Sequence, residues 1–170
     1  MKTHLTMLAD YHGWAYEALY EALLPLADDD YHADDGLFFR SAHGTLNHLL
    51  LVEQVWFGRC VGEPFEVAAL DTEIEADRGR LEQAIYRAVG RWREWLEAQD
   101  DALLTAPLHY HTLAGAAFSN TRAEVLAHVF NHATHHRGQV STVLTRRGLA
   151  APALDLVLYL RSARTPTTTV

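Results

Sequence analysis

The chain has one cysteine, Cys60, among its 170 residues. An intramolecular disulfide is therefore excluded, and a reducing compartment fits. Positive charge is also scarce: 14 Lys and Arg stand against 22 Asp and Glu, a net charge of −8. With so acidic a balance a nucleic-acid surface is not expected, since that needs a basic stripe or patch. The one dense basic spot, Arg146-Arg147, falls where cations suit a helix C-terminus. Long apolar runs are missing as well. No stretch is long enough to span a bilayer, and the N-terminus has no extended apolar region of the secretory type. The expectation is a cytoplasmic protein without membrane or nucleic-acid partners. Internal repeats are absent, and so are the HExxH pattern of zinc peptidases and the spacing of an EF-hand loop.

Histidine is plentiful instead. Four of the eleven fall within His128-Val-Phe-Asn-His132-Ala-Thr-His135-His136. Thr121-Arg-Ala-Glu124 just before has the form of a capping box, and Gly148 offers a C-terminal stop. Between them Val125, Val129, Ala133, Val140, Val143 and Leu144 recur at helical spacing. At about 100° per residue, His132 and His136 lie nearest the centre of that apolar stripe. His128 and His135 lie at its edge. Two inward imidazoles one turn apart are costly unless their ring nitrogens find partners, and the i, i+4 spacing lets both grip one metal ion.

The remaining chain reads as helix too. The first helix is expected over 3–24, with His12 on the stripe of Leu5, Leu8, Ala15 and Leu19. Tyr11 is read as packing. An acidic connection, Asp28–Asp30 and Asp34–Asp35, is expected to be a solvated loop. The second helix starts at Ser41 as N-cap and runs to about Arg59, with His48 on its inward stripe. A facing helix in a bundle core makes His48 the candidate third ligand beside His132 and His136. The third helix is expected from Asp71 to about Gln99. Residues 100–120 break the helical period. Leu108–Thr112 alternates and Ala117–Ser119 returns, a small irregular hairpin before the fourth helix. His109 and His111 on it are read as surface residues. A short helix from Pro152 to about Leu160 ends the fold, followed by a frayed tail at 165–170. The fold class is all-α: an antiparallel four-helix bundle, one domain over 1–164.

The chain resembles the DinB/YfiT-like family of metalloenzymes from end to end. Asp10-Tyr11-His12-Gly13-Trp14-Ala15 resembles the family's first-helix signature, with His12 where Asn is more usual. Thr45-Leu46-Asn47-His48 matches the helix that carries the family's first metal histidine, and Asn131-His132-Ala-Thr-His135-His136-Arg137-Gly138-Gln139 matches its most specific motif. Asp155–Tyr159 is also typical. The resemblance implies a four-helix bundle, often a homodimer, holding a divalent metal through His48, His132 and His136. Some members of the wider superfamily are transferases or isomerases that use mycothiol, bacillithiol or glutathione.

Three neutral imidazoles leave a coordination position for water or substrate, as catalytic rather than closed structural sites do. They accept Zn, Ni, Fe or Cu alike. His12 and Gln139 are candidates to support the ligands or touch substrate. No carboxylate reads as an inward general base. Taken with the resemblance, the site leaves two expected functions: a metal-dependent enzyme, a transferase working on a small molecule through a low-molecular-weight thiol or a hydrolase, or, as the alternative, a non-catalytic, stress-related metal-binding homodimer.

Overall fold

The computed structural model describes residues 1–163, so the expected tail and the end of the expected domain lie outside the described residues. Four long helices carry the fold: α1 (Lys2–Leu23), α3 (Ala42–Val61), α4 (Arg78–Ala98) and α6 (Arg122–Arg146). Shorter pieces fill the connections: α2 (Asp28–His32), α5 (Asp101–Thr105), the strands β1 (Pro107–His111) and β2 (Ala117–Thr121), and α7 (Leu156–Ser162).

Local chemistry sets the ends of these elements. Ser41 Oγ accepts the Gly44 amide to start α3, and Gly62 at φ 81° stops it. Thr121 and Glu124 form the reciprocal capping box at the start of α6. The hairpin pairs antiparallel in the register Leu108↔Asn120 and Tyr110↔Phe118.

The long helices close a ring in which α1 packs on α4 and α6, and α3 packs on the same two. Their directions differ from the all-antiparallel expectation. Asn47 bonds the backbone at Ile74 and Glu75, just ahead of α4, while Gln54 meets Arg91 and Glu53 meets Trp92. Positions thus rise together along both helices, so α3 and α4 run the same way. The cause is the connection over 62–77, which returns along the length of α3. Short loops make antiparallel neighbours; a long crossover does not.

That crossover also shortens the expected third helix. Residues 72–77 are not helical, because the Asn47 side-chain oxygen accepts the Ile74 and Glu75 amides at 2.8 and 2.9 Å. Asp77, not Asp71, caps α4 by accepting the Arg80 amide. The crossover is seated tightly at its start: a Cβ on Gly58 would collide with the Glu63 carbonyl. At the other end of the chain, α7 begins at Leu156 rather than Pro152. The acidic connection is not a plain solvated loop either. It contains α2, and Asp30 and Asp35 both bind Arg147.

Two apolar clusters fill the ring. One gathers Tyr16, Leu19, Leu46, Leu50, Leu81, Ile85, Val140 and Leu144. The other gathers Leu5, Ala9, Trp92, Leu96, Val125, Leu126 and Val129. His12 and Glu53, both fully buried, lie between these clusters in sequence on α1 and α3, and the fully buried Arg137 lies on α6 between Ala133 and Val140 of the first cluster. Among the described residues no helix is long and apolar enough to cross a membrane.

Candidate metal centre

The facing pair α3 and α6 brings His48, His132 and His136 together, with one ring nitrogen from each within 4.8 Å of the others. The Nε2 atoms of His48 and His132 are 3.3 Å apart, and those of His136 and His132 are 3.2 Å apart. In two of the rings a hydrogen bond at the other nitrogen fixes which one is bare. The Leu70 carbonyl can only accept, so the His48 Nδ1 at 2.8 Å must carry the proton. Gln139 Oε1 accepts from the His136 Nδ1 at 2.7 Å in the same way. In the neutral ring this leaves a lone pair on Nε2 of both, aimed at the common centre. His132 Nδ1 is buried with no hydrogen-bond partner among the described residues.

This donor set fits a divalent ion. Imidazole nitrogens at about 2.0–2.1 Å from a tetrahedral ion lie about 3.3–3.4 Å from one another, close to the two spacings found. Without a cation or proton between them, such lone pairs repel. The rings are also held in the neutral form a metal requires. Burial pulls His48 down to about 4 and His132 down to about 3, in the second case helped by the other histidines. Burial lowers His136 as well.

Phe39 walls one side. Its ring stacks on His48 with centroids 3.8 Å apart and 16° between planes. It reaches there through the tight turn Leu37–Arg40, in which Arg40 takes φ 70° at a cost of about 1–2 kcal/mol. The Phe39 carbonyl lies so close to Gly44 that any Cβ would strike it. The other side is open. A cleft of about 460 Å³ is lined by His48, His132, Leu51, Val55, Trp56 and Leu70 among others.

Gln139 therefore touches the triad directly, whereas His12 does not. His12 Nδ1 meets Arg137 Nη1 at 3.0 Å, and its Nε2 meets Glu53 Oε1 at 2.7 Å. A guanidinium has no acceptor, so Nδ1 accepts and the Nε2–H donates to Glu53. Trp92 Nε1 donates to the other Glu53 oxygen at 2.5 Å. Glu53 is a buried carboxylate that the sequence reading did not single out: it is 1% exposed and serves His12 and Trp92. Its place beside Val52 in an apolar helix was a usable signal, because a buried acid needs partners. As expected, His128 and His135 are exposed, as are His109 and His111. Tyr11 packs in the core and donates its hydroxyl to the Leu154 carbonyl.

These features coincide with a known family. The sequence model of the DinB family matches residues 1–169. The chain belongs to the DinB family. Among curated relatives, Protein DinB of Bacillus subtilis (strain 168) is 27% identical over 164 residues, covering 93% of this chain and 94% of the relative. In this DinB-family chain the crossover supplies the Leu70 carbonyl that orients His48, a contact hidden at the sequence level because 71–77 reads as helix.

Proposed function

We propose that this protein is a metal-dependent enzyme of the helical-bundle type, in which His48, His132 and His136 hold a divalent ion and a small-molecule thiol is a substrate. One observation carries the reading: three Nε2 atoms converge beside an open, mostly apolar cleft, and no fourth His, Cys, Asp or Glu joins them among the described residues. His12, which could have closed the site, is engaged by Glu53 and Arg137. That favours an enzyme over a purely structural staple.

A divalent ion held by three neutral ligands supplies Lewis acidity and keeps a bound thiol ionised at neutral pH. The protein's own residues do the rest. Leu70 and Gln139 orient two of the rings, Phe39 shields one face, and the cleft offers a mostly apolar lining to the substrate's stem. In the reaction we infer, the thiol sulfur bonds to an electrophilic carbon, and the displaced group leaves with the electron pair and takes up the proton the thiol lost. The buried carboxylate of Glu53 is bonded to His12 and Trp92 rather than facing the triad. A transferase therefore suits the site better than a hydrolase that needs a general base.

The test is metal analysis of natively expressed protein, followed by thiol consumption with a chromogenic aryl halide. Near one equivalent of Zn, Ni or Fe per chain and metal-dependent thiol consumption are expected. A fully loaded protein that consumes no thiol would sink the transferase reading. We also propose a cytoplasmic homodimer formed through α1 or α4, whose outer face carries Trp14 and Tyr86 beside Tyr159. A sedimentation profile of monomer alone at micromolar concentration would overturn it.

A further inference from the structure

The cleft beside the triad continues past Trp56 and Tyr110. It shares Val55, Arg59, Val67, Tyr110, Thr112 and Leu113 with a second chamber of about 740 Å³. Arg59 stands where the two meet. Its guanidinium lies 4.5 Å from the Trp56 ring centre and 4.9 Å from that of Tyr110, and it donates to the His111 carbonyl at 2.8 Å. No carboxylate pairs with it among the described residues, although the chain has eight more acids than bases. Arg78, Arg80, Arg93 and Arg147 all have acidic partners. Arg122 lines the second chamber too, and its Nε is buried with no partner among the described residues. Against these two cations that chamber has one acid, Glu66.

A partly buried guanidinium that has no carboxylate partner and lies against two aromatic rings is poised to bind an anion. The ring contacts and the His111 carbonyl restrain it, and burial strengthens its field. A row of ring contacts leads from it back to the triad: Tyr110 to Trp56, Trp56 to His128, and His128 to His132, at 5.0, 5.4 and 5.5 Å between centres. Along α3, Arg59 lies about three turns beyond His48, roughly 16 Å of rise.

We propose that Arg59, assisted by Arg122, anchors a carboxylate at the far end of the substrate. The site would then select elongated small molecules with an apolar stem, reacting at the triad and carboxylated at the other end. This rests on the enzyme reading above and adds the substrate's anionic end.

The two ideas separate in one binding experiment on metal-loaded protein, with four probes titrated by calorimetry: 8-mercaptooctanoate, 8-mercaptooctanol, octanoate and octanol. The thiol contrast tests the reaction class; the carboxylate contrast tests the anchor. The carboxylates should bind about tenfold or more tightly than the alcohols, with or without the thiol. Arg59→Gln should erase that advantage while the thiol advantage persists. Arg59→Lys should retain part of it, since charge remains and the stacked fork is lost. Equal binding of carboxylates and alcohols by the wild type overturns the anchor without any variant. So does a carboxylate preference unchanged in a folded Arg59→Gln protein. A carboxylate preference with no thiol preference supports the anchor and removes the thiol reading alone.

Discussion

His48 donates its Nδ1 proton to the carbonyl of Leu70 at 2.8 Å, and so a crossover loop decides which way a ligand nitrogen faces. The crossover is held in turn by Asn47, whose side chain bonds the backbone of Ile74 once and that of Glu75 twice. A residue adjacent to His48 therefore positions the strap that orients it. Such outer contacts govern metal affinity almost as strongly as the ligands themselves.

Replacement of Asn47 with Ala should accordingly act in two ways. Three hydrogen bonds disappear and backbone groups lose partners, a destabilisation of about 2–3 kcal/mol. Metal affinity should fall about 10–100-fold because the Leu70 carbonyl is no longer fixed. Denaturant melts of the metal-free protein and a competitive chelator titration measure the two effects separately. An affinity unchanged in a destabilised variant would show that the strap holds the fold and not the ligand.

A histidine scan tests the triad itself. His48→Ala, His132→Ala and His136→Ala should each abolish tight binding of one divalent ion, while His128→Ala and His135→Ala leave it largely intact. The difference follows from geometry: the first three converge through Nε2, and the last two are exposed. If His128 or His135 proved the stronger ligand in a metal titration, the convergence would have to be rejected as the site.

Much of this arrangement was legible from residue spacing, for a physical reason. Thr121 to Glu124 is a local motif, and so is the i, i+4 pair His132 and His136; each depends only on the geometry of one helix. The alternation at Leu108–His111 likewise announces its own strand. What stayed hidden depends on distant partners. Ile74 and Glu75 look helical until Asn47 captures their amides. Glu53 looks like an ordinary helical acid until Trp92 and His12 meet it from two other helices. His12 falls on the inward stripe, yet only the packing of α1 against α6 shows that it meets Arg137 rather than the triad. The parallel course of α3 and α4 is the same kind of fact, since the loop's length alone does not say where it is pinned.

The Glu53 network makes a stability prediction of its own. Glu53→Ala leaves His12 Nε2–H and Trp92 Nε1–H without an acceptor and Arg137 without its bridged carboxylate, all in the core. Breaking one member of a buried charged network costs about 3–5 kcal/mol. Glu53→Gln keeps one acceptor oxygen and should cost less. Equilibrium urea unfolding measures both, and equal losses for the two variants would show that the full carboxylate with both acceptor oxygens, not packing volume, dominates there.

The last prediction joins metal, pH and folding. In the metal-free native state, burial holds His48 at about 4 and His132 at about 3, below the 6.5 of an ordinary histidine. The unfolded chain therefore binds more protons than the native one once pH drops below 6.5. Stability conferred by these neutral rings is complete above that value and is lost progressively as pH falls through about 4 and 3. A bound ion needs the same lone pairs, so it resists protonation further but is released when the pH is low enough. Because the ion binds only the native state, it adds about 2.7 kcal/mol at a hundredfold excess over Kd. Holo protein should thus melt higher than apo protein at pH 7.5, with the gap narrowing on acidification. Helical circular dichroism at 25 °C should barely change on chelation, since the two apolar clusters do not include the triad and survive without it. Collapse of the helical signal on adding chelator would mean that the ion staples α3 to α6, and the catalytic reading would lose its main physical support.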